Sequence, residues 1–201
     1  MRIKTLEQLR TLYLAPKERA VKKQLAALDR HCKHYISLSP FVVLSSIGAD
    51  DVLDASPRGG APGFAKVLDA NTLLIPDSPG NNRLDTLENI IHTGRLGLLF
   101  LIPGVDETLR VNGTAELSVD PEDIAQCTTE VRAPKLVIRV GVQQAYLHCA
   151  KAFMRSKLWD VSSQIDRNQL PTMVDMINDQ AAIEGVFETH EEIMLRYKNE
   201  L

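Results

Sequence analysis

The sequence predicts a mainly β fold with flanking helices, a small antiparallel barrel or sandwich. Three observations lead to this prediction. From Phe41 onward, short β-prone runs alternate with Gly, Pro, Asn and Asp. Before them and after Cys149, apolar residues recur at helical spacing. The composition, 44% hydrophobic and 24% charged over 201 residues, is that of one folded globular domain with terminal additions.

The elements follow in order along the chain. Two short amphipathic patterns precede residue 41, and we expect residues 1–40 to form N-terminal helices packed on the barrel. The β-prone runs are 41–47, 52–58, 65–69, 72–75, 95–102, 107–118 and 135–149. Helical patterns interrupt them at 82–92 and at 121–130, where Pro121 follows a capping Asp120. Further helical patterns occupy 150–158, 171–180 and 184–199, so residues 160–201 are predicted to be a C-terminal helical extension.

Composition and charge exclude several classes of protein. No apolar run approaches the roughly 20 residues that a membrane span needs, and the N-terminal residues mix charges with apolar positions, unlike a signal peptide. Three cysteines without a CxxC spacing disfavour a disulfide framework. The net charge is −3, with basic residues spread along the chain. We therefore expect a cytoplasmic protein that binds neither membranes nor nucleic acid as partners.

Two segments carry polar side chains that suit an anionic ligand. In 52–60, Asp54, Ser56 and Arg58 alternate onto one face of a strand, and Pro57 places that strand at an edge. The turn-rich loop 76–83 leads into a helix whose free N–H groups, together with Arg83, would suit a phosphate. A solvated edge strand and a solvent-directed arginine explain the same patterns.

Two further segments suit a planar ligand. In 107–116, Arg110 and Asn112 share a strand face and could contact a heteroaromatic ring or a phosphate, although a half-exposed strand has the same pattern. Lys151 and Arg155 lie four residues apart, and the single tryptophan, Trp159, follows them. A basic surface helix anchored by that tryptophan is the alternative.

The histidines offer little chemistry by themselves. His148 is a candidate proton donor, but a histidine at a strand end is more often structural. His31 and His34, with His148 and Cys149, could form a zinc or haem site, yet their spacing matches no metal motif. A helix C-terminus rich in basic side chains explains the first pair better, and we expect no metal site.

Taken in order, the motifs resemble those of a known family. They are Ser56-Pro-Arg-Gly59, Val67-Leu-Asp69, Leu73-Leu-Ile-Pro-Asp77, Gly80-Asn-Asn-Arg83-Leu-Asp-Thr-Leu-Glu-Asn89-Ile90, Leu99-Phe-Leu-Ile-Pro-Gly104, Leu109-Arg-Val-Asn-Gly113, His148-Cys-Ala-Lys-Ala152, Arg155-Ser and Leu158-Trp159. The chain thus resembles the FMN-binding split-barrel family related to pyridoxamine 5′-phosphate oxidase, in its flavin-nucleotide-binding branch. The resemblance implies a six-stranded antiparallel split barrel over residues 41–159, a homodimer, and FMN in clefts at the subunit interface.

The resemblance also implies roles for individual residues. Arg58, Asn81 and Arg83 match the places where the family holds the FMN phosphate, and Ser56, in the same motif as Arg58, is a further cofactor-binding residue. Arg110 and Asn112 match the strand that passes near the flavin ring. Lys151, Arg155 and Trp159 resemble the segment that completes the site, from the second subunit.

The function implied is that of an FMN-dependent oxidoreductase acting by hydride transfer on an unidentified small organic substrate. The oxidase's residues for substrate phosphate have no convincing counterpart in this chain, so oxidation of vitamin B6 does not follow from the resemblance. Two alternatives stay open: a non-catalytic flavin-binding or storage module, and a haem- or deazaflavin-binding split barrel.

Overall fold

The structure is a computed structural model that describes residues 2–78, 80–129, 131–183, 185 and 188–200. It divides into two units, Met1–Ser156 and Lys157–Leu201. Within the described residues, no helix is both long and apolar enough to cross a membrane.

The first unit contains six helices and seven strands among its described residues. The helices are α1 (Leu6–Arg10), α2 (Glu18–Lys22), α3 (Arg30–Leu38), α4 (Asp85–Thr93), α5 (Pro121–Cys127) and α6 (Lys151–Ser156). The strands are β1 (Phe41–Ile47), β2 (Leu53–Gly59), β3 (Lys66–Val67), β4 (Thr72–Pro76), β5 (Arg95–Leu101), β6 (Thr108–Ser118) and β7 (Val137–His148).

All seven strands form one antiparallel sheet in the order β2-β1-β5-β6-β7-β4-β3. The mainly β fold class is therefore as predicted, but the six-stranded count taken from the family resemblance is wrong. Each of the seven β-prone runs supplies one strand. The sheet is open, with β2 and β3 at its edges, and Pro57 lies on an edge strand, where its missing N–H removes no ladder hydrogen bond.

The main core lies against one face of the sheet, which we call the inner face. Apolar side chains at alternate positions of β1, β5, β6 and β7 point into it, and Phe100 and Leu98 in the interior strand β5 are almost completely buried. Helix α4 packs on β1 and adds Leu87 and Ile90. Helix α3 adds Cys32 and Ile36. The opposite, outer face carries the remaining side chains of these strands.

The longest strand pair, β6 with β7, contains an irregularity. The register shifts between Asn112 and Gly113, as in a β-bulge. A Cβ atom on Gly113 would lie 2.0 Å from the backbone oxygen of Gly141 on the neighbouring strand. Only glycine allows this close approach, because that oxygen belongs to the backbone and cannot rotate away.

The N-terminal residues approach the sheet through a short strap, residues 23–28. Leu25 exchanges two backbone hydrogen bonds with Ala145 of β7, each 2.9 Å long, beyond the point where β4 ends. The N–H of Leu28 donates to the carbonyl of Ala70. Helices α1 and α2 before the strap bury no residue.

Helix α3 corrects the expectation for His31 and His34. A basic helix C-terminus, the alternative to a metal site, is wrong for this pair, because the helix begins at Arg30 with Asp29 as its N-cap. His31 therefore lies in its first turn and His34 at its middle. The Asp29 carboxylate accepts a hydrogen bond from the Cys32 N–H at 2.8 Å, which fixes this start.

The second unit is helical. Its helices are α7 (Met173–Ala181) and α8 (His190–Glu200), preceded by two short 3-10 turns, Val161–Ser163 and Arg167–Gln169. A capping box between Thr172 and Asp175 starts α7. The pattern predicted over 184–199 includes residues 184, 186 and 187, which lie outside the described residues.

Candidate functional site

The predicted ligand residues lie on both faces of the sheet. Directly paired residues of neighbouring strands share a face. Asp54 pairs with the buried Ser46, so the row of Asp54, Ser56 and Arg58 on β2 faces inward. Asn112 pairs with Gly97, and Gly97 with Ser45, which faces outward. The row on β2 and the row on β6 are therefore separated by the sheet itself.

On the inner face, the Asp54 carboxylate collects three hydroxyl donors. Ser56 donates at 3.0 and 3.1 Å, Ser46 at 3.4 Å, and Thr86 of α4 also donates. The Asn89 amide of α4 in turn donates to the Ser46 hydroxyl at 3.0 Å. The Ser56 hydroxyl is thus engaged by Asp54, and the network ties β2 to α4.

In the β2 row, Arg58 is the residue whose side chain is not part of the Asp54 network. Its guanidinium is half-buried and donates one hydrogen bond, to the carbonyl of the adjacent Pro57 at 2.9 Å. Within the described ranges, it has no carboxylate within 4 Å. Burial raises the pKa of the nearby Asp77 carboxyl, while the charges of Arg58 and Lys135 act to lower it. Arg58 therefore lies near the start of the loop that ends at Arg83.

The sequence predicts Arg83 in the first turn of a helix, and this prediction is wrong. Helix α4 begins at Asp85, and the Arg83 Nε donates to the Asp85 carboxylate at 3.0 Å with a side chain 75% exposed. The Asn81 side chain accepts the Arg83 backbone N–H at 3.0 Å. The N-cap residue, Leu84, has no polar side chain, so the first N–H groups of α4 lack a side-chain cap.

A pocket of about 430 Å³ lies between α4 and the β1–β2 turn, beside Arg83. Carboxylates outnumber cations in its lining, with Asp50, Asp54, Asp85 and Glu88 against Arg83 and His92. A phosphate would be repelled from this pocket. For Arg83 to bind a phosphate, its side chain has to leave Asp85 and turn away from the pocket.

On the outer face, Asn112 and Gln144 form a cross-strand pair. The Asn112 amide donates to the Gln144 side-chain oxygen at 2.6 Å. A second pocket, of about 560 Å³, lies over this part of the sheet and is lined by Asn112, Gln143 and Arg95, among others. Its lining mixes polar and apolar side chains, which suits a planar heteroaromatic ligand.

Four outer-face residues, Lys23, Arg110, Tyr146 and His148, form what we call the Tyr146 cluster. Arg110 Nη1 donates to the Tyr146 hydroxyl at 2.9 Å, and its Cζ lies 5.5 Å from the ring centre. Lys23 Nζ lies 5.3 Å from the same centre and donates to the Leu147 carbonyl at 2.6 Å. The His148 ring lies 5.0 Å from the Tyr146 ring.

His148 ends strand β7, as predicted, and its Nε2 is buried with no hydrogen-bond partner among the described residues. Its pKa is lowered, first by burial and then by the positive charges of Arg110 and Lys23. Sequence reasoning did not identify Lys23, because nothing in the sequence indicates contact between residues more than a hundred positions apart.

The later predicted residues belong to different units of the chain. Lys151 and Arg155 are exposed on α6, while Trp159 is half-buried in the second unit. The exposed Cys149 has a lowered pKa, mainly because the Lys151 N–H donates to its sulfur. Burial raises the pKa of Cys32 and Cys127 to about 11. Among the described side chains, no group of three or more His, Cys, Asp or Glu could hold a metal ion.

Comparison with known proteins gives one match by family. A family model described as pyridoxamine 5′-phosphate oxidase matches residues 28–149. No curated protein matched the chain.

Several solved structures are similar at low identity. The HupZ protein of Group A Streptococcus is 16% identical, with 59% of this chain and 91% of that chain covered and a TM-score of 0.49. An FAD binding protein from Mycobacterium smegmatis is 15% identical, covering 62% and 97% at 0.43. An FMN-binding protein from Syntrophomonas wolfei is 12% identical, covering 72% and 97%, also at 0.43.

Proposed function

Because this chain belongs to the pyridoxamine 5′-phosphate oxidase family, whose model matches residues 28–149, we propose that it binds FMN and acts as an FMN-dependent oxidoreductase on a small organic substrate. The observation that carries the proposal is the half-buried guanidinium of Arg58. It has no carboxylate within 4 Å among the described residues, and it lies near the loop that leads to the uncapped start of α4.

The residues present fit a phosphate group. The half-buried Arg58 has guanidinium donors without an anion on them, and phosphate suits that planar donor array. Asn81 and the N–H groups at the start of α4 would add neutral donors, and Arg83 would join once it leaves Asp85. Ser56 contributes indirectly, because its hydroxyl is held by Asp54.

The flavin ring requires a second surface. Arg110 and Asn112 lie on the opposite face of the sheet from Arg58. One FMN cannot contact both rows within one copy unless it passes around the edge strand β2. We therefore infer a homodimer in which the phosphate residues of one copy meet the ring-binding row of the other. Lys151, Arg155 and Trp159 would complete the same cleft.

FMN, when bound, supplies hydride acceptance and donation, and the protein supplies binding, orientation and electrostatics. Arg110 and Asn112 would orient the ring by hydrogen bonds, and the nearby cations would favour its negatively charged reduced form. His148 is neutral near pH 7 because its pKa is lowered, so it could accept rather than donate a proton there.

Replacing Arg58 tests the phosphate assignment. We expect Arg58→Ala to weaken FMN binding about tenfold to hundredfold, because charge-assisted hydrogen bonds of roughly 1.5–3 kcal/mol are lost. Arg83→Ala should act in the same direction but less, since Asp85 already engages that guanidinium. Quenching of FMN fluorescence during titration of the flavin-free protein measures the affinity.

Arg10→Ala, on the exposed helix α1, is the matched control and should bind FMN as the wild type does. Unchanged affinity in Arg58→Ala would contradict the phosphate assignment. The visible spectrum of the purified protein separates flavin from haem. Anaerobic reduction by NADH or NADPH, followed by reoxidation, separates an enzyme from a storage module.

The dimer has its own test. The outer face of β1 and β2 exposes Phe41 and Leu53, which are 36% and 76% exposed, as a surface for a second copy. We expect light scattering to give twice the 22.3 kDa chain mass at micromolar concentration. A monomeric mass under those conditions would exclude a site shared between copies.

A further inference from the structure

We propose that the Tyr146 cluster binds the oxyanion group, a carboxylate or a phosphate, of the substrate. Two cations, Lys23 and Arg110, lie within 5.5 Å of one aromatic ring centre. Over the described part of the chain, neither has a carboxylate within 4 Å. Like charges held together without a counter-charge repel each other, and a bound anion removes that repulsion.

The donors of the cluster are only partly used. The Lys23 ammonium has three N–H donors and donates one of them to the Leu147 carbonyl. The Arg110 guanidinium has five N–H donors and donates one of them to the Tyr146 hydroxyl. This last bond also fixes the guanidinium against the ring, so its remaining donors have a defined direction. The cluster therefore offers preorganised, charge-assisted donors to an oxyanion.

His148 supports the same interpretation. Its Nε2 is buried, and no described residue forms a hydrogen bond with it, which is uncommon for a buried polar atom outside a functional site. The two groups whose charges lower its pKa are Arg110 on β6 and Lys23 on the strap. An anion held between those cations would offset their effect, so the pKa of His148 should rise when the site fills.

The identity of the ligand as substrate rests on the proposed function, under which the flavin ring lies beside Arg110. A substrate anchored there by its anionic group would be a small organic acid or a phosphate ester, rather than a neutral or cationic molecule. Lys23 lies outside residues 28–149, the part matched by the family model, so the strap adds this cation from beyond that part.

The test is an NMR titration of the flavin-free protein with inorganic phosphate and, separately, with acetate. The chain has five histidines, and the His148→Gln variant assigns the His148 ring signals. We expect those signals to shift saturably and the His148 pKa to rise with the bound anion. Lys23→Gln should weaken anion binding about tenfold. Lys22→Gln is the matched control, since Lys22 is exposed and paired with Glu18, and it should bind as the wild type does.

Several outcomes would overturn the proposal. The proposal is wrong if neither phosphate nor acetate shifts the His148 ring signals. It is also wrong if Lys23→Gln and the wild type bind the anion with equal affinity. Repeating the titration on the FMN-loaded protein separates a substrate site from the flavin's own phosphate site, because displacement of the probe by FMN would contradict a separate ligand. A stronger response to phosphate indicates a phosphate ester, and a stronger response to acetate an organic acid. If the wild type did not bind FMN, the proposed function would be wrong, but the anion titration would still test the oxyanion site.

Discussion

We expect Gly113→Ala to lower the free energy of unfolding by about 3 kcal/mol, the upper end of the usual cost of overpacking. The added methyl group would lie 2.0 Å from the backbone oxygen of Gly141, so one of the two central strands has to move. That movement would break ladder hydrogen bonds between β6 and β7, the longest strand pair of the sheet. Urea unfolding of the variant and the wild type at equal protein concentration measures the difference.

Gly59→Ala is the matched control for this substitution. Gly59 also lies in a strand, but a Cβ there would have its nearest neighbour at 3.5 Å, an ordinary contact. We expect its unfolding midpoint to stay close to that of the wild type. Equal midpoints for Gly113→Ala and Gly59→Ala would show that β6 and β7 can move apart at Gly113 without loss of stability.

The second large effect concerns the centre of the core. Leu98→Ala should lower the free energy of unfolding by about 2–5 kcal/mol, because it leaves a cavity where a fully packed side chain stood. Leu98 is 2% exposed and pairs with Leu44 on β1. Leu53→Ala makes the same chemical change at a position on β2 that is 76% exposed.

Comparing the two leucine variants isolates the contribution of burial. We expect Leu53→Ala to unfold within about 0.5 kcal/mol of the wild type, as is usual for exposed positions. A loss at Leu53 as large as that at Leu98 would mean that Leu53 is covered in solution, as the proposed dimer allows, and the loss would then depend on protein concentration.

The strands were the most predictable part of the fold. The bounds of β1, β5 and β6 agree with the predicted runs to within a residue, because alternation of buried and exposed side chains is visible in the sequence itself. Helix α3 was not predicted as a separate element. Only Cys32 and Ile36 of its nine residues are buried, and its basic residues interrupt any apolar stripe.

The arrangement of the candidate site was less predictable. Alternation within a strand assigns Asp54 and Arg58 to one face, and Arg110 and Asn112 to another strand's face. It does not say whether the two faces are the same, because that depends on strand order and register. The same limit applies to Lys23, whose position depends on where the strap meets β7. The partner of Arg83 was within reach, since Asp85 is only two residues away.

The pairing of Leu25 with Ala145 also bears on how the protein behaves when it is shortened. Strand β4 covers β7 only as far as Gly141, and the strap takes part of the edge that remains. A fragment begun at residue 28, where the family match starts, would leave that edge open as a template for pairing with other chains. We expect such a fragment to aggregate during expression, whereas a fusion tag placed before α1 leaves the edge protected.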